Sequence, residues 1–198
     1  KDANLPKFLE EDKLLFRALL SDLFPDTNPP DVFPEEFMNM IDYLINYNKL
    51  ESSPFHVDKC LQFFNIISIR FGVCLVGPAG TGKSTVLKLV SEAMTALNAR
   101  DKTNEKYKEV KSLTINPKSI TMGELYGQEN EETKTFVYGI ATNNIKEGLV
   151  VPEPADKLRM TVFDGPIDTI WIENLNSVLD DSMLLCLSNG ERIKLMRH

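Results

Sequence analysis

Gly77-Pro78-Ala79-Gly80-Thr81-Gly82-Lys83-Ser84 satisfies the phosphate-binding pattern GxxxxGK[ST] at every fixed position. Glycines there let backbone N–H groups converge on an anion in conformations that a Cβ obstructs. Lys83 supplies a point charge for β- and γ-phosphates, and the Ser84 hydroxyl can ligate Mg²⁺. The predicted nucleoside-triphosphate site therefore comprises Gly77, Pro78, Ala79, Gly80, Thr81, Gly82, Lys83, Ser84 and Thr85. A chance match in a glycine-rich turn is the competing reading, and the flanking sequence weighs against it.

A second chemical group stands at Leu158-Arg159-Met160-Thr161-Val162-Phe163-Asp164, an apolar-rich strand pattern that ends in an acid. An aspartate at the C-terminal end of a parallel strand faces the ligand crevice. Asp164 is thus the candidate partner, usually through water, for an Mg²⁺ held by Ser84. The bland alternative is that it only starts the turn Asp-Gly-Pro. Gly165 follows, where hydrolytic relatives carry a glutamate to orient water, and glycine has no group to accept a proton. No catalytic residue is assigned. Asp168 and Glu173 are the acids that could stand in, but a helix-face or interface role suits them better.

The elements that must position these groups are legible around them. Phe71 to Val76 is a short, nearly continuous apolar run, the form of a parallel strand buried on both faces. After the loop, Val86, Leu87, Leu89, Val90, Ala93, Met94 and Leu97 recur at helical spacing. A second strand is expected at Val110 to Ile115. Residues 1–68 read as a helical lead-in, with helices over Lys13 to Phe24, Glu35 to Tyr47 and Val57 to Ile69 and a Pro-rich connector from Pro25 to Pro34. Residues 69–198 read as the core. Within it, 128–157 show little apolar periodicity and include Pro152 and Pro154, which predicts a mobile insertion with a short helix at most.

Composition narrows the class. With 198 residues, 42% of them hydrophobic, the chain can bury one sizeable core. Its net charge of −7, with Lys and Arg scattered, argues against a nucleic-acid surface. No signal peptide or apolar run of membrane-spanning length appears, so no membrane role is expected. Cys60, Cys74 and Cys186 show no metal spacing and read as reduced, buried thiols of an intracellular protein.

Three strings make a resemblance specific: Asn116-Pro117-Lys118-Ser119-Ile120-Thr121-Met122-Gly123-Glu124-Leu125-Tyr126-Gly127, Phe163-Asp164-Gly165-Pro166-Ile167-Asp168, and Trp171-Ile172-Glu173-Asn174-Leu175-Asn176-Ser177-Val178-Leu179-Asp180-Asp181. They resemble the second AAA+ module of the dynein heavy-chain motor ring, axonemal rather than cytoplasmic in wording. Asn4-Leu5-Pro6-Lys7-Phe8-Leu9, Asp22-Leu23-Phe24-Pro25 and Asn189-Gly190-Glu191-Arg192-Ile193 extend it over nearly the whole chain. One departure stands out, Phe136-Val137-Tyr138-Gly139, where the family usually has tryptophan-threonine-aspartate-glycine.

The resemblance implies an α/β fold of the P-loop NTPase (AAA+) kind. Its large subdomain is a three-layer α/β/α sandwich with a parallel sheet, preceded by a helical segment, with the lid expected outside residues 1–198. It implies bound ATP or ADP with Mg²⁺, held for structure or regulation with little or no hydrolysis; a module that hydrolyses ATP with a displaced acid is the alternative. It also implies adjacent AAA+ modules of the same heavy chain, intermediate and light chains, and a microtubule contacted by distant parts. The implied setting is cytoplasm and cytoskeleton, with the axoneme of a cilium or flagellum favoured. The sensor residue and arginine finger of such a site are expected outside this chain, and Arg192 reads as a solvated hairpin charge. Trp171 reads as a packing residue; Leu5, Pro6 and Phe8 read equally as an adenine edge or as plain packing.

Overall fold

Every backbone N–H and C=O in a helix or ladder needs a partner, and this chain meets that demand with helices and short ladders in two compact units, Lys1–Ala93 and Met94–His198. The computed structural model describes residues 8–25, 34–150, 157–180 and 182–195.

The first unit is helical where described. Helix α1 (Glu10–Leu23) begins three residues ahead of its expected start. Phe8 packs its ring on Phe16 with centroids 4.9 Å apart, the packing alternative for that residue, while Leu5 and Pro6 lie outside the described residues. Most of the Pro-rich connector also lies outside them. Helix α2 (Glu35–Tyr47) buries Phe37, Met40, Ile41, Leu44 and Ile45, a stripe at i, i+3, i+4, i+7 and i+8. It ends where Lys49 turns to a φ of 55° and the Leu50 N–H reaches the Ile45 carbonyl at 2.9 Å. Helix α3 (Pro54–Ile69) opens with a proline, whose missing N–H costs nothing in a first turn. It packs on α2 through Phe64, stacked on Phe37 at 4.4 Å. Helix α4 (Lys83–Arg100) follows the phosphate loop and runs on into the second unit.

Between α3 and the loop, the structure differs from expectation. Residues 71–76 join no ladder among the described residues, and Phe71, Leu75 and Val76 are 44%, 40% and 80% exposed. An apolar run supplies the face of a strand but not the neighbour that must satisfy its backbone. Cys74 is accordingly exposed, as is Cys186, and only Cys60 is the buried thiol expected of all three. Burial raises the Cys60 pKa to about 11.

The second unit holds the parallel pair. Strand β1 (Glu109–Ile115) runs beside β4 (Lys157–Phe163) in register from Glu109↔Lys157 to Ile115↔Phe163, so both strands end together. The Asp164 N–H extends this ladder to the Ile115 carbonyl at 2.9 Å. Between them the chain forms α5 (Met122–Leu125), an antiparallel hairpin of β2 (Gly127–Glu129) and β3 (Phe136–Tyr138), and α6 (Ile140–Val150). A hairpin and an eleven-residue helix thus occupy a stretch expected to hold a short helix at most. Its strands are three residues each, too short to show a period, and contacts remote in sequence hold the stretch: the Tyr138 hydroxyl of β3 donates to Glu191 at 2.8 Å. The buried Thr142 hydroxyl donates to the Tyr126 carbonyl at 2.6 Å, and Asn144 donates to Thr161 of β4 at 2.8 Å. Pro152 and Pro154 lie outside the described residues.

Past β4 the sequence from Ile167 to Leu179 reads as one helix-like run, and the structure breaks it into α7 (Thr169–Ile172), a 3-10 turn (Glu173–Leu175) and α8 (Asn176–Leu179). Asn174, Asn176 and Ser177 are residues whose side chains compete for backbone groups, and Ser177 spends its hydroxyl on the Leu184 carbonyl at 2.7 Å. The expected hairpin is present as β5 (Leu184–Cys186) and β6 (Arg192–Lys194), with Arg192 exposed on it. Trp171 packs as expected: it is buried, stacked on Phe163 at 5.4 Å, and donates its indole N–H to the Pro166 carbonyl. With Leu125, Leu185 and Ile193 it belongs to one buried cluster.

Candidate nucleotide site

The phosphate loop spans Gly77 to Lys83 and turns at two glycines, Gly80 and Gly82, with φ of 81° and 82°. Side chains rarely adopt that region, which is why these two positions call for glycine. Lys83 folds back over the loop, donating from Nζ to the carbonyls of Gly77 at 2.8 Å and Pro78 at 2.6 Å. The Thr81 hydroxyl also donates to the Pro78 carbonyl, at 2.9 Å. These bonds fix an ammonium at the centre of the loop while the third of its donors has only a 3.5 Å contact with Thr81 Oγ1. The loop feeds directly into α4, whose helical bonding starts with the Val86 N–H on the Gly82 carbonyl. Ser84 and Thr85 therefore sit in the first turn of an eighteen-residue helix, where N–H groups lack intrahelical partners and the dipole is positive. The arrangement is a preformed anion cradle. Pro78, Ala79 and Ser84 are exposed to incoming ligand.

A cradle of this kind fits a polyphosphate carrying Mg²⁺. Among the described residues no group of three or more His, Cys, Asp or Glu side chains could hold a metal by itself.

His56, which no motif pointed to, meets the loop from the first turn of α3. A Cβ on Gly82 would lie 2.3 Å from its Nε2, so glycine at 82 serves close approach as well as conformation. The twenty-five residues between them carry no local signal of that contact.

The second group of candidate residues lies in the other unit. Asp164 follows β4 and is exposed, with its backbone held by β1. Gly165 packs against the loop that follows β1: a Cβ there would lie 3.2 Å from Asn116 Oδ1 and 3.2 Å from Pro117 Cδ. Asn116 shapes that loop, accepting the Lys118 N–H on its side chain at 3.0 Å and the Ser119 hydroxyl on its carbonyl at 2.8 Å. Lys118 then forms an ion pair with Asp168, tying the loops after β1 and β4 together. The Lys118 ammonium first, and the Ile170 N–H second, hold the Asp168 carboxyl below its ordinary range. Asp168 is thus occupied as the cap of α7 and the anchor of Lys118. Glu173 is exposed at the start of the 3-10 turn. Sequence reading singled out Asp168 and the Asn116-Pro117-Lys118 string but not their pairing, which joins residues fifty apart.

Two family models match. One, described as the hydrolytic ATP binding site of the dynein motor region, covers residues 1–84; the other, the AAA domain of the dynein-related subfamily, covers residues 72–198. Similar proteins include human dynein axonemal heavy chain 6, 41% identical over 98% of this chain and 5% of its own length. Mouse dynein axonemal heavy chain 12 is 38% identical over 98% of this chain and 6% of its own. The dynein-1-alpha heavy chain of the flagellar inner arm I1 complex of Chlamydomonas reinhardtii is 36% identical, over 100% of this chain and 4% of its own. The chain therefore spans a small fraction of the length of each of these relatives. None of the described helices is long and apolar enough to cross a membrane.

Proposed function

The chain belongs to the dynein-related subfamily of AAA domains, and we propose that it is the second module of an axonemal dynein motor ring, one that binds ATP or ADP with Mg²⁺ and turns over little or none of it. The observation that carries the reading is the phosphate loop with Lys83 already fixed on its own carbonyls, in a chain whose sequence has glycine at position 165. Loop amides, Lys83 and the first turn of α4 bind phosphate oxygens, and the Ser84 hydroxyl is the oxygen donor for Mg²⁺. Asp164 is assigned to the water shell of that ion by the chemistry of its carboxylate and its place after a parallel strand. When bound, Mg²⁺ neutralises charge on the phosphates. Ground-state binding needs only these groups, whereas hydrolysis also needs a positioned water, and loss of a general base costs ~10² to 10⁴ in rate.

The hydrolytic alternative draws on the description of the model that matches residues 1–84, but that match ends before Gly165. It would need Asp168 or Glu173 as the base, and Asp168 is committed to Lys118 and to α7. Neighbouring AAA modules of the same heavy chain, intermediate and light chains, and a microtubule engaged elsewhere in the longer protein are the partners this reading carries. Its setting is the axoneme.

Thermal unfolding with and without Mg-ATP tests the binding. A ligand that binds only the folded state stabilises it by about 2.7 kcal/mol at a hundredfold excess over Kd, and Lys83→Ala should abolish the shift. Steady-state ATP turnover tests the rest. No shift at millimolar ATP, or turnover that vanishes in Asp168→Asn, would overturn the corresponding half of the proposal.

A further inference from the structure

The contact of His56 with the phosphate loop has a chemical side as well as a steric one. Measured from an ideal Cβ on Gly82, Nε2 lies at 2.3 Å, Cε1 at 3.2 Å and Cδ2 at 3.3 Å, so the imidazole presents its Nε2 corner to the loop. That nitrogen is shut off from solvent and has no hydrogen-bond partner. The neighbouring Phe55 ring stands edge-on at 6.4 Å and offers nothing polar. An imidazole nitrogen is a donor or an acceptor in every protonation state, and leaving one buried and unmet is destabilising. Here it faces the turn whose φ of 82° and flanking Lys83 make it an anion cradle. Because Nε2 is closed to solvent in the free protein, an oxygen of an anion held on that turn meets it only as the turn eases away from the ring on binding.

We propose that His56 is a ligand-contacting residue of this site: its Nε2–H donates to a phosphate oxygen of the bound nucleoside di- or triphosphate, while the ring holds Gly82 in place. The proposal rests on the nucleotide reading above and adds to it a residue outside the loop motif.

The two roles, binding and structure, predict opposite behaviour of the free protein. His56→Phe keeps the ring and removes the nitrogen. In the full 198-residue chain it should leave the melting temperature of the ligand-free protein unchanged or raised, because an orphaned polar group is gone. It should weaken Mg-ADP, Mg-ATP and magnesium pyrophosphate by about 10- to 100-fold, the range for a hydrogen bond to a charged group. His56→Gln, which retains a donor, should stay within a few-fold of the wild type, and His56→Leu carries the same expectation as Phe should the latter fail to fold. Unchanged affinity in both apolar variants overturns the proposal. So does a free-state melting temperature that falls in step with affinity, which marks a structural wedge only. Unchanged pyrophosphate binding alongside weakened ATP binding also overturns it, since the contact would then be to the nucleoside. Wild-type protein that binds none of the three, like Lys83→Ala, would instead sink the nucleotide reading itself.

Discussion

Gly165 is the residue on which the proposed lack of hydrolysis turns, and its packing sets the cost of replacing it. A Cβ at 165 would sit 3.2 Å from Asn116 Oδ1 and Pro117 Cδ and 3.5 Å from Pro117 Cγ, the first two tighter than ordinary van der Waals contact. The Asp164–Ile167 segment is exposed and can give by a few tenths of an ångström, which places the strain near the low end of the ~1–3 kcal/mol typical of overpacking. Moving Asn116 Oδ1 also loosens its bond from the Lys118 N–H, now 3.0 Å, at ~0.5–1.5 kcal/mol. Gly165→Ala should therefore destabilise the second unit by about 1.5–2.5 kcal/mol, or roughly 13- to 70-fold in the folding equilibrium. The assay is urea unfolding read as a shift in midpoint at constant slope. Asn116→Ala in the same background should recover part of the loss, because the two sites touch. Gly165→Glu carries the same Cβ and should show the same loss of stability, so any gain in ATP turnover has to be read from protein shown to be folded. If Gly165→Ala unfolds within ~0.3 kcal/mol of the wild type, the close approach of the two loops is not as described and the reasoning fails.

Gly139 presents the more severe case: a Cβ there would lie 2.4–2.5 Å from the backbone of Leu125 and Tyr126, which cannot rotate away, so Gly139→Ala should cost about 3 kcal/mol or more in the same unfolding assay. The Lys118–Asp168 pair should show in the pH dependence of stability. Because the folded Asp168 carboxyl lies below its ordinary value of 3.8, its contribution is complete above that value and lost as pH falls through the depressed one. Lys118→Met should shrink the stability difference between neutral and acid pH, and identical pH profiles for the two proteins would refute the pairing.

Much of the site was legible because it is local. A phosphate loop is one contiguous turn whose glycines, lysine and serine are fixed by backbone conformation and by the helix that follows, and Gly80, Gly82 and α4 appear where the pattern put them. Helices α2 and α3 were equally plain, since a period of 3.6 is written within each segment. Strand β4 was legible as an apolar-rich run ending in an acid, β1 as a second strand over Val110 to Ile115, and the hairpin at β5 and β6 as a turn signal. What the sequence could not carry is pairing. Whether residues 71–76 enter a ladder depends on a neighbour, not on their own apolarity, and among the described residues none pairs with them. The order within 127–150 comes from Tyr126, Thr161 and the Leu125 backbone reaching across the fold, not from periodicity inside it. His56 against Gly82, and Lys118 against Asp168, join residues twenty-six and fifty apart through side chains whose types are commonplace singly. Local backbone preference is encoded residue by residue. The meeting of two remote side chains exists only once the chain has closed on itself.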